Sequence, residues 1–236
     1  MRLQLCPLHV GRIVLALAIA TIAIAVPSAQ AGTVVIDPFT TGQSLAWGPG
    51  GGVQGPAVHS LAIGAVLGGT RTIALQADVF PQQDVSITIG FGYADYASGS
   101  LSDGKATLTY DGNGGGLGNL FAGVTQFEIG LDAFNLGSNN SKIQLIINDG
   151  ITQEIYSTTI TQFTVVPSTL TYGMAGSAID FNHVQSVRLV LDSTTAMGAD
   201  ITLNRFEAVI VPEPAAWALA ALGSLALVAL RRRRAR

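Results

Sequence analysis

Between residues 32 and 211 the chain alternates apolar and polar residues with a period of two, and this rhythm limits what it can become. Ile87, Ile89 and Phe91 would share one face of a strand, as would Phe127, Ile129 and Leu131. Val187, Leu189 and Leu191 form a third such set, with Ser186 and Arg188 beside them on the opposite parity. Successive side chains point to opposite faces of a strand, so each set has one side to bury. Further strands are predicted over residues 72–79, 105–110, 142–147, 154–166, 201–203 and 206–211, which are rich in threonine and β-branched residues. No amphipathic helical pattern longer than about two turns interrupts them.

The connectors carry turn chemistry. Asp103-Gly104, Asp111-Gly112-Asn113-Gly114, Gly137-Ser138-Asn139-Asn140 and Asn148-Asp149-Gly150 supply the residues that tolerate tight turns, and the last reads as a hairpin. The glycine-rich stretches 48–55 and 112–118 read as long flexible surface loops. Many short strands joined by such turns predict an all-β fold, a single β-sandwich of jelly-roll type. A barrel is the alternative; no repeat of fixed length favours a solenoid.

The two ends read differently. Arg2 and Arg12 flank a short start, residues 13–26 are apolar and uncharged, and Ser28-Ala29-Gln30-Ala31 follows. A basic region, an apolar stretch and small residues at Ala29 and Ala31 form a secretory signal with its signal peptidase site. Cleavage after Ala31 leaves three parts: a signal peptide (1–31), a β-sandwich domain (32–211) and a C-terminal segment (212–236). The chain's one cysteine, Cys6, lies within the signal, so the mature domain depends on packing rather than disulfides.

The chain closes with Val211-Pro212-Glu213-Pro214, an Ala- and Leu-rich run over 215–230, and Arg231, Arg232, Arg233, Arg234, Ala235 and Arg236. As a transmembrane helix the apolar run rises about 24 Å, short of a hydrocarbon core of about 30 Å. The arginines keep their end cytoplasmic, which places the middle domain outside the inner membrane. Pro212 and Pro214 stop the helix from extending outward and leave Glu213 in an extended segment at the outer membrane face. This order of parts resembles the PEP-CTERM sorting domain over residues 211–236. The resemblance implies a substrate motif at Pro212, Glu213 and Pro214, recognised and cut by an exosortase. It also implies transient inner-membrane anchoring, then release to the cell surface or extracellular matrix of a Gram-negative bacterium that makes exopolysaccharide.

Chemistry is harder to find in the middle domain. Five basic residues (Arg71, Lys105, Lys142, Arg188 and Arg205) face fourteen acidic ones between residues 32 and 211, a net charge of −9 that disfavours nucleic acid as a partner. Gly50-Gly51-Gly52-Val53-Gln54-Gly55 fits a dinucleotide fingerprint by letter, but Pro56 follows and no βαβ unit does. No serine near His59 or His183 is marked as a nucleophile. Asp111 and Asn113 offer oxygen ligands two residues apart, and 192–200 is a second acidic loop, so a structural calcium ion is compatible with the sequence while no other cofactor is expected. Trp47, Tyr93, Tyr96 and Tyr110 are candidate sugar-stacking rings, with Asp95 and Asp103 as hydroxyl acceptors; packing in the core is the competing use.

The sequence therefore predicts an exported, non-catalytic surface or matrix protein associated with exopolysaccharide or biofilm. A secreted carbohydrate-binding module with a polysaccharide partner is the alternative, ahead of a glycan-active hydrolase. The hydrolase reading requires two carboxyl groups facing across a cleft, roughly 5–9.5 Å apart.

Overall fold

The computed structural model describes residues 31–47, 53–60, 66–77, 84–135, 140–161, 164, 166–194 and 197–210. All of them lie in one compact unit spanning 31–211. The signal segment before Ala31, the Pro-Glu-Pro motif and the apolar run 215–230 lie outside the described residues. Among the described residues no helix is long and apolar enough to cross a membrane.

Among the described residues thirteen strands build the domain: β1 (Gly32–Asp37), β2 (Gln43–Trp47), β3 (Val53–Ser60), β4 (Thr70–Ala77), β5 (Val85–Gly90), β6 (Tyr93–Ser98), β7 (Gly104–Tyr110), β8 (Val124–Asn135), β9 (Ser141–Asn148), β10 (Gln153–Ile160), β11 (Ser168–Gly173), β12 (Ser186–Asp192) and β13 (Asp200–Ile210). They form two antiparallel sheets. One runs β11-β8-β13-β6-β5-β2, with β1 also paired to β13; the other runs β10-β9-β12-β7-β4-β3. This is the all-β sandwich that the alternation predicts.

The period-two pattern explains the core. Ile73 and Leu75, Leu108 and Tyr110, Leu189 and Leu191, and Ile143, Leu145 and Ile147 turn inward from the six-stranded sheet and are fully buried. Opposite them lie Ile87 and Ile89, Phe127, Ile129 and Leu131, and Leu203 and Phe206. Tyr110, Phe206, Phe127 and Phe121 form a chain of tilted rings with centroids 5.3–6.4 Å apart. Such offset geometry suits the ring quadrupoles.

Three sequence expectations need correction. The predicted run 154–166 stops at Ile160; the chain then passes Pro167, which has no N–H for a ladder, and starts β11 at Ser168. The runs 201–203 and 206–211 are instead one strand, β13, whose register slips so that Leu203 pairs with Leu131 and Arg205 with Gly130. Asn204 is the extra residue, a bulge. The glycine loop 112–118 is tied down rather than flexible. Gly116 N–H donates to the Asp111 carbonyl at 2.8 Å, Leu117 N–H to the Val184 carbonyl at 2.8 Å, and Leu117 itself is buried. Gly112, Gly114, Gly116 and Gly118 all have positive φ, which permits a chain so tightly folded to keep its hydrogen bonds.

Candidate functional site

The outer face of the seven-stranded sheet carries a groove of about 520 Å³. Its position follows from the bulge in β13. Along its first half β13 pairs with β6, along its second with β1, and Asn204 sits where the neighbour changes. The extra residue puts Asn204 and Arg205 together at the groove. Gly130, next to them on β8, is what admits both side chains. A Cβ at Gly130 would stand 2.0 Å from Asn204 Oδ1 and 2.7 Å from Arg205 Cγ.

Polar contacts fix the walls. Arg205 donates from Nη2 to Thr169 Oγ1 on β11 at 2.6 Å, and its guanidinium lies 3.6 Å from both Glu128 and Glu207. Asn204 Nδ2 donates to Asp132 Oδ1 at 3.2 Å. Ser168 borders the same groove, but its hydroxyl lies on the inward parity of Leu170 and Tyr172 and is buried without a hydrogen-bond partner.

The remaining wall is the β5–β6 hairpin. Gly90 pairs with Tyr93, so only Phe91 and Gly92 make the turn. Their φ values are +53° and +91°, the pattern of a type I′ turn. That turn favours Asn-Gly because both central residues are left-handed. Here a phenylalanine takes the first position and its side chain is 100% exposed. Tyr93, 41% exposed, stands beside it in the groove. Two rings, an amide, a guanidinium and the Thr169 hydroxyl thus border one depression, and none of the lining residues is a carboxylate or a histidine.

The predicted aromatic set divides on this point. Only Tyr93 reaches the groove. Trp47, Tyr96 and Tyr110 are at most 7% exposed and belong to the core. Burial pushes the Tyr96 phenol up to about 12, so it stays protonated beside Ser193 Oγ at 2.6 Å. Asp103 is buried, whereas Asp95 is exposed on the outer face. Phe91, placed by the sequence on an inward strand face, lies outside because the strand ends at Gly90. Asn204, Arg205, Gly130 and Thr169 had no signal in the sequence; Phe91 had one, the glycines on either side of it.

The other sequence candidates do not assemble. Asp192 Oδ1 accepts hydrogen bonds from the Thr194 N–H and hydroxyl, and Asn113 N–H donates to Thr70 Oγ1. Among the described residues no three His, Cys, Asp or Glu side chains are grouped to hold a metal ion. His59 lies on β3 opposite Arg71, and His183 is exposed with Nδ1 2.6 Å from Asp180 Oδ2.

That last pair belongs to a brace on the β9–β10 end of the sandwich. Asp149 accepts hydrogen bonds from the N–H groups of Ile151, Thr152 and Asp180, and Glu154 accepts them from the Tyr156 and Ser177 hydroxyls and the Ala178 N–H. These bonds hold both carboxyls below their ordinary values, 3.8 for Asp149 and 4.5 for Glu154. A depressed carboxylate stabilises the fold above its unfolded pKa and stops doing so as pH falls through its folded one. The 174–183 loop is therefore expected to open on acidification from about pH 4 downward, ahead of the core. Hydrogen exchange by mass spectrometry would test this; protection of residues 174–183 unchanged down to global unfolding would contradict it.

The fold and groove define a two-sheet antiparallel β-sandwich with an aromatic-edged depression on one outer face. Residues 211–234 match the PEP-CTERM protein-sorting motif, so this is a sandwich protein that carries a PEP-CTERM sorting tail. No curated protein matches the chain. Among solved structures it is similar to a family 11 carbohydrate-binding module from Clostridium thermocellum in complex with a β-1,3-1,4-mixed-linked tetrasaccharide (11% identity, 75% of this chain and 95% of that one, TM-score 0.38). It is also similar to a mutant family 29 carbohydrate-binding module complexed with mannohexaose (11% identity, 76% and 92%, TM-score 0.35). Likenesses this distant bear on neither ligand nor residues.

Proposed function

We propose that this is an exported, non-catalytic surface or matrix protein whose sandwich binds a neutral glycan in the groove on its seven-stranded sheet. The observation that carries the reading is Phe91, fully exposed on a turn that disfavours it, beside Tyr93, Asn204, Arg205 and Thr169. A flat ring covers the apolar face of a pyranose, and amide, guanidinium and hydroxyl groups satisfy its hydroxyls. Neutrality follows from charge. The one cation on the groove is already countered by Glu128 and Glu207, and Asp132 and Asp95 share that face, so a uronate chain meets uncompensated negative charge. Affinity electrophoresis of the exported protein in gels containing a neutral or a uronic-acid polysaccharide is the test. Retardation is expected in the neutral gel alone; none in any gel sinks the reading.

The tail supplies the address. In this reading an exosortase cuts at Pro212-Glu213-Pro214 after the apolar run has paused in the inner membrane. Mass spectrometry of the exported protein is then expected to find the C-terminal helix missing, and Glu213→Ala is expected to retain it. An intact wild-type tail would defeat the processing step while leaving the groove untouched.

A further inference from the structure

Among the described residues five strands, β1, β2, β3, β10 and β11, pair with one neighbour only, and four of them are blunted. β1 slips register between Val35 and Asp37 and is followed by Pro38. β2 has five residues. β3 contains Pro56 and slips register between Gln54 and Ala57. β11 has six residues and starts directly after Pro167. These are the devices by which sheets avoid pairing with other chains.

β10 has none of them. Its eight residues, Gln-Glu-Ile-Tyr-Ser-Thr-Thr-Ile, pair with β9 in unbroken register from Gln153–Asn148 to Ile160–Ser141. Among the described residues no strand pairs with its second edge. It holds no proline, lysine or arginine, and its β-branched and aromatic content is high. Ile155 is 56% exposed on the outer face, next to Ile146. Its one charge, Glu154, is already engaged within the molecule by Tyr156, Ser177 and Ala178. Unpaired backbone donors and acceptors along such an edge select an extended strand as their partner.

We propose that this partner is a second copy of the chain, with β10 pairing antiparallel to β10 across a two-fold axis at Ser157, so that the two six-stranded sheets become one. Self-pairing is favoured because the edge is complementary to itself. The axis sets Ile155 opposite Thr159 of the second copy and Glu154 opposite Ile160, so no like charges meet. Isologous two-fold contacts are also the commonest way for one surface to close on itself. The groove belongs to the other sheet, so a dimer would display two grooves and could bridge glycan chains with the avidity of linked sites. The dimer itself does not depend on the glycan reading.

The test uses the exported protein in a Cys6→Ser background. Light scattering of the eluting peak is expected to give a dimer mass, and Ile155→Lys with Thr159→Lys is expected to halve it. Both positions are exposed, so the variant should still fold, with an unchanged circular dichroism spectrum, and should lose only the stability that dimerisation adds. Directly opposed residues in an antiparallel pair sit about 4.5–5.5 Å apart at Cα, within disulfide reach. Ser157→Cys should therefore cross-link into a covalent dimer on mild oxidation, and Gln76→Cys, on the exposed outer face of β4, should not. A monomer at every concentration overturns the proposal. So does a dimer that survives both lysines and leaves Cys-substituted Ser157 uncross-linked, or a chain that stays monomeric and pairs with another protein.

Discussion

Asp37→Ala is expected to destabilise the sandwich by about 3–5 kcal/mol, the cost of leaving a buried charge without its partner. The partner is Arg71, which lies on β4 in the same parity as Ile73 and Leu75 and is completely buried. Its Nη1 donates to Asp37 Oδ2 at 2.6 Å, its Nε to Gln43 Oε1 at 2.8 Å and its Nη2 to the Thr41 carbonyl at 2.8 Å. Tyr110 donates to the same Asp37 oxygen at 2.9 Å, and Phe39 N–H donates to the other at 2.7 Å. Burial, with the Asp37 charge beside it, pushes the Tyr110 phenol well above its ordinary range and keeps it a donor. Asp37 and Gln43 come from the seven-stranded sheet, Arg71 and Tyr110 from the six-stranded one, so the network fastens the two layers together.

Removing the carboxylate leaves the guanidinium in the core with one charged contact gone and no route to water. Replacing both partners is a different experiment. Asp37→Leu with Arg71→Met should recover part of the loss, because apolar pairs of similar volume are often as stable as a buried ion pair, while the Tyr110 hydroxyl and the Phe39 N–H are left without their acceptor. Urea denaturation of the two single variants and the double variant measures the coupling. A cost near that of an exposed pair, below about 1 kcal/mol for Asp37→Ala, would show that the network does not hold the sheets.

The strands were legible because alternation is a local property. Ile143, Leu145 and Ile147 announce an inward face without reference to any neighbour. The same parity, carried from Ile73 and Leu75 back to Arg71, puts a cation into the core; its role there becomes visible only when Asp37, 34 residues away, is found beside it. The groove was illegible for a related reason. A bulge at Asn204 depends on the register between β13 and β8, and the need for glycine at position 130 depends on what lies across the sheet. Neither leaves a mark in the nearby sequence. Tyrosines 96 and 110 mislead because a phenol serves a core as well as a binding face, provided its hydroxyl finds Ser193 or Asp37.

Phe91 is where stability and function should separate with opposite signs. Phe91→Asn installs the residue that a type I′ turn prefers and relieves a left-handed phenylalanine, so a gain of about 1 kcal/mol is expected. In a domain of this size that raises the melting temperature by roughly 2–4 °C. The same change removes a fully exposed ring that has no packing to lose. If the ring stacks on a sugar, losing it costs about 2 kcal/mol of binding, or roughly 30-fold in affinity, as for an aromatic anchor at an interface. Phe91→Tyr keeps the face and should keep most of the binding; Phe91→Leu keeps apolar bulk and the strained φ and should lose it. Calorimetric melting and affinity electrophoresis on the same three proteins decide the matter. A Phe91→Asn protein that is less stable than the wild type would make the ring a structural brace. One that is more stable and still fully retarded by the neutral glycan would move the binding site away from this turn.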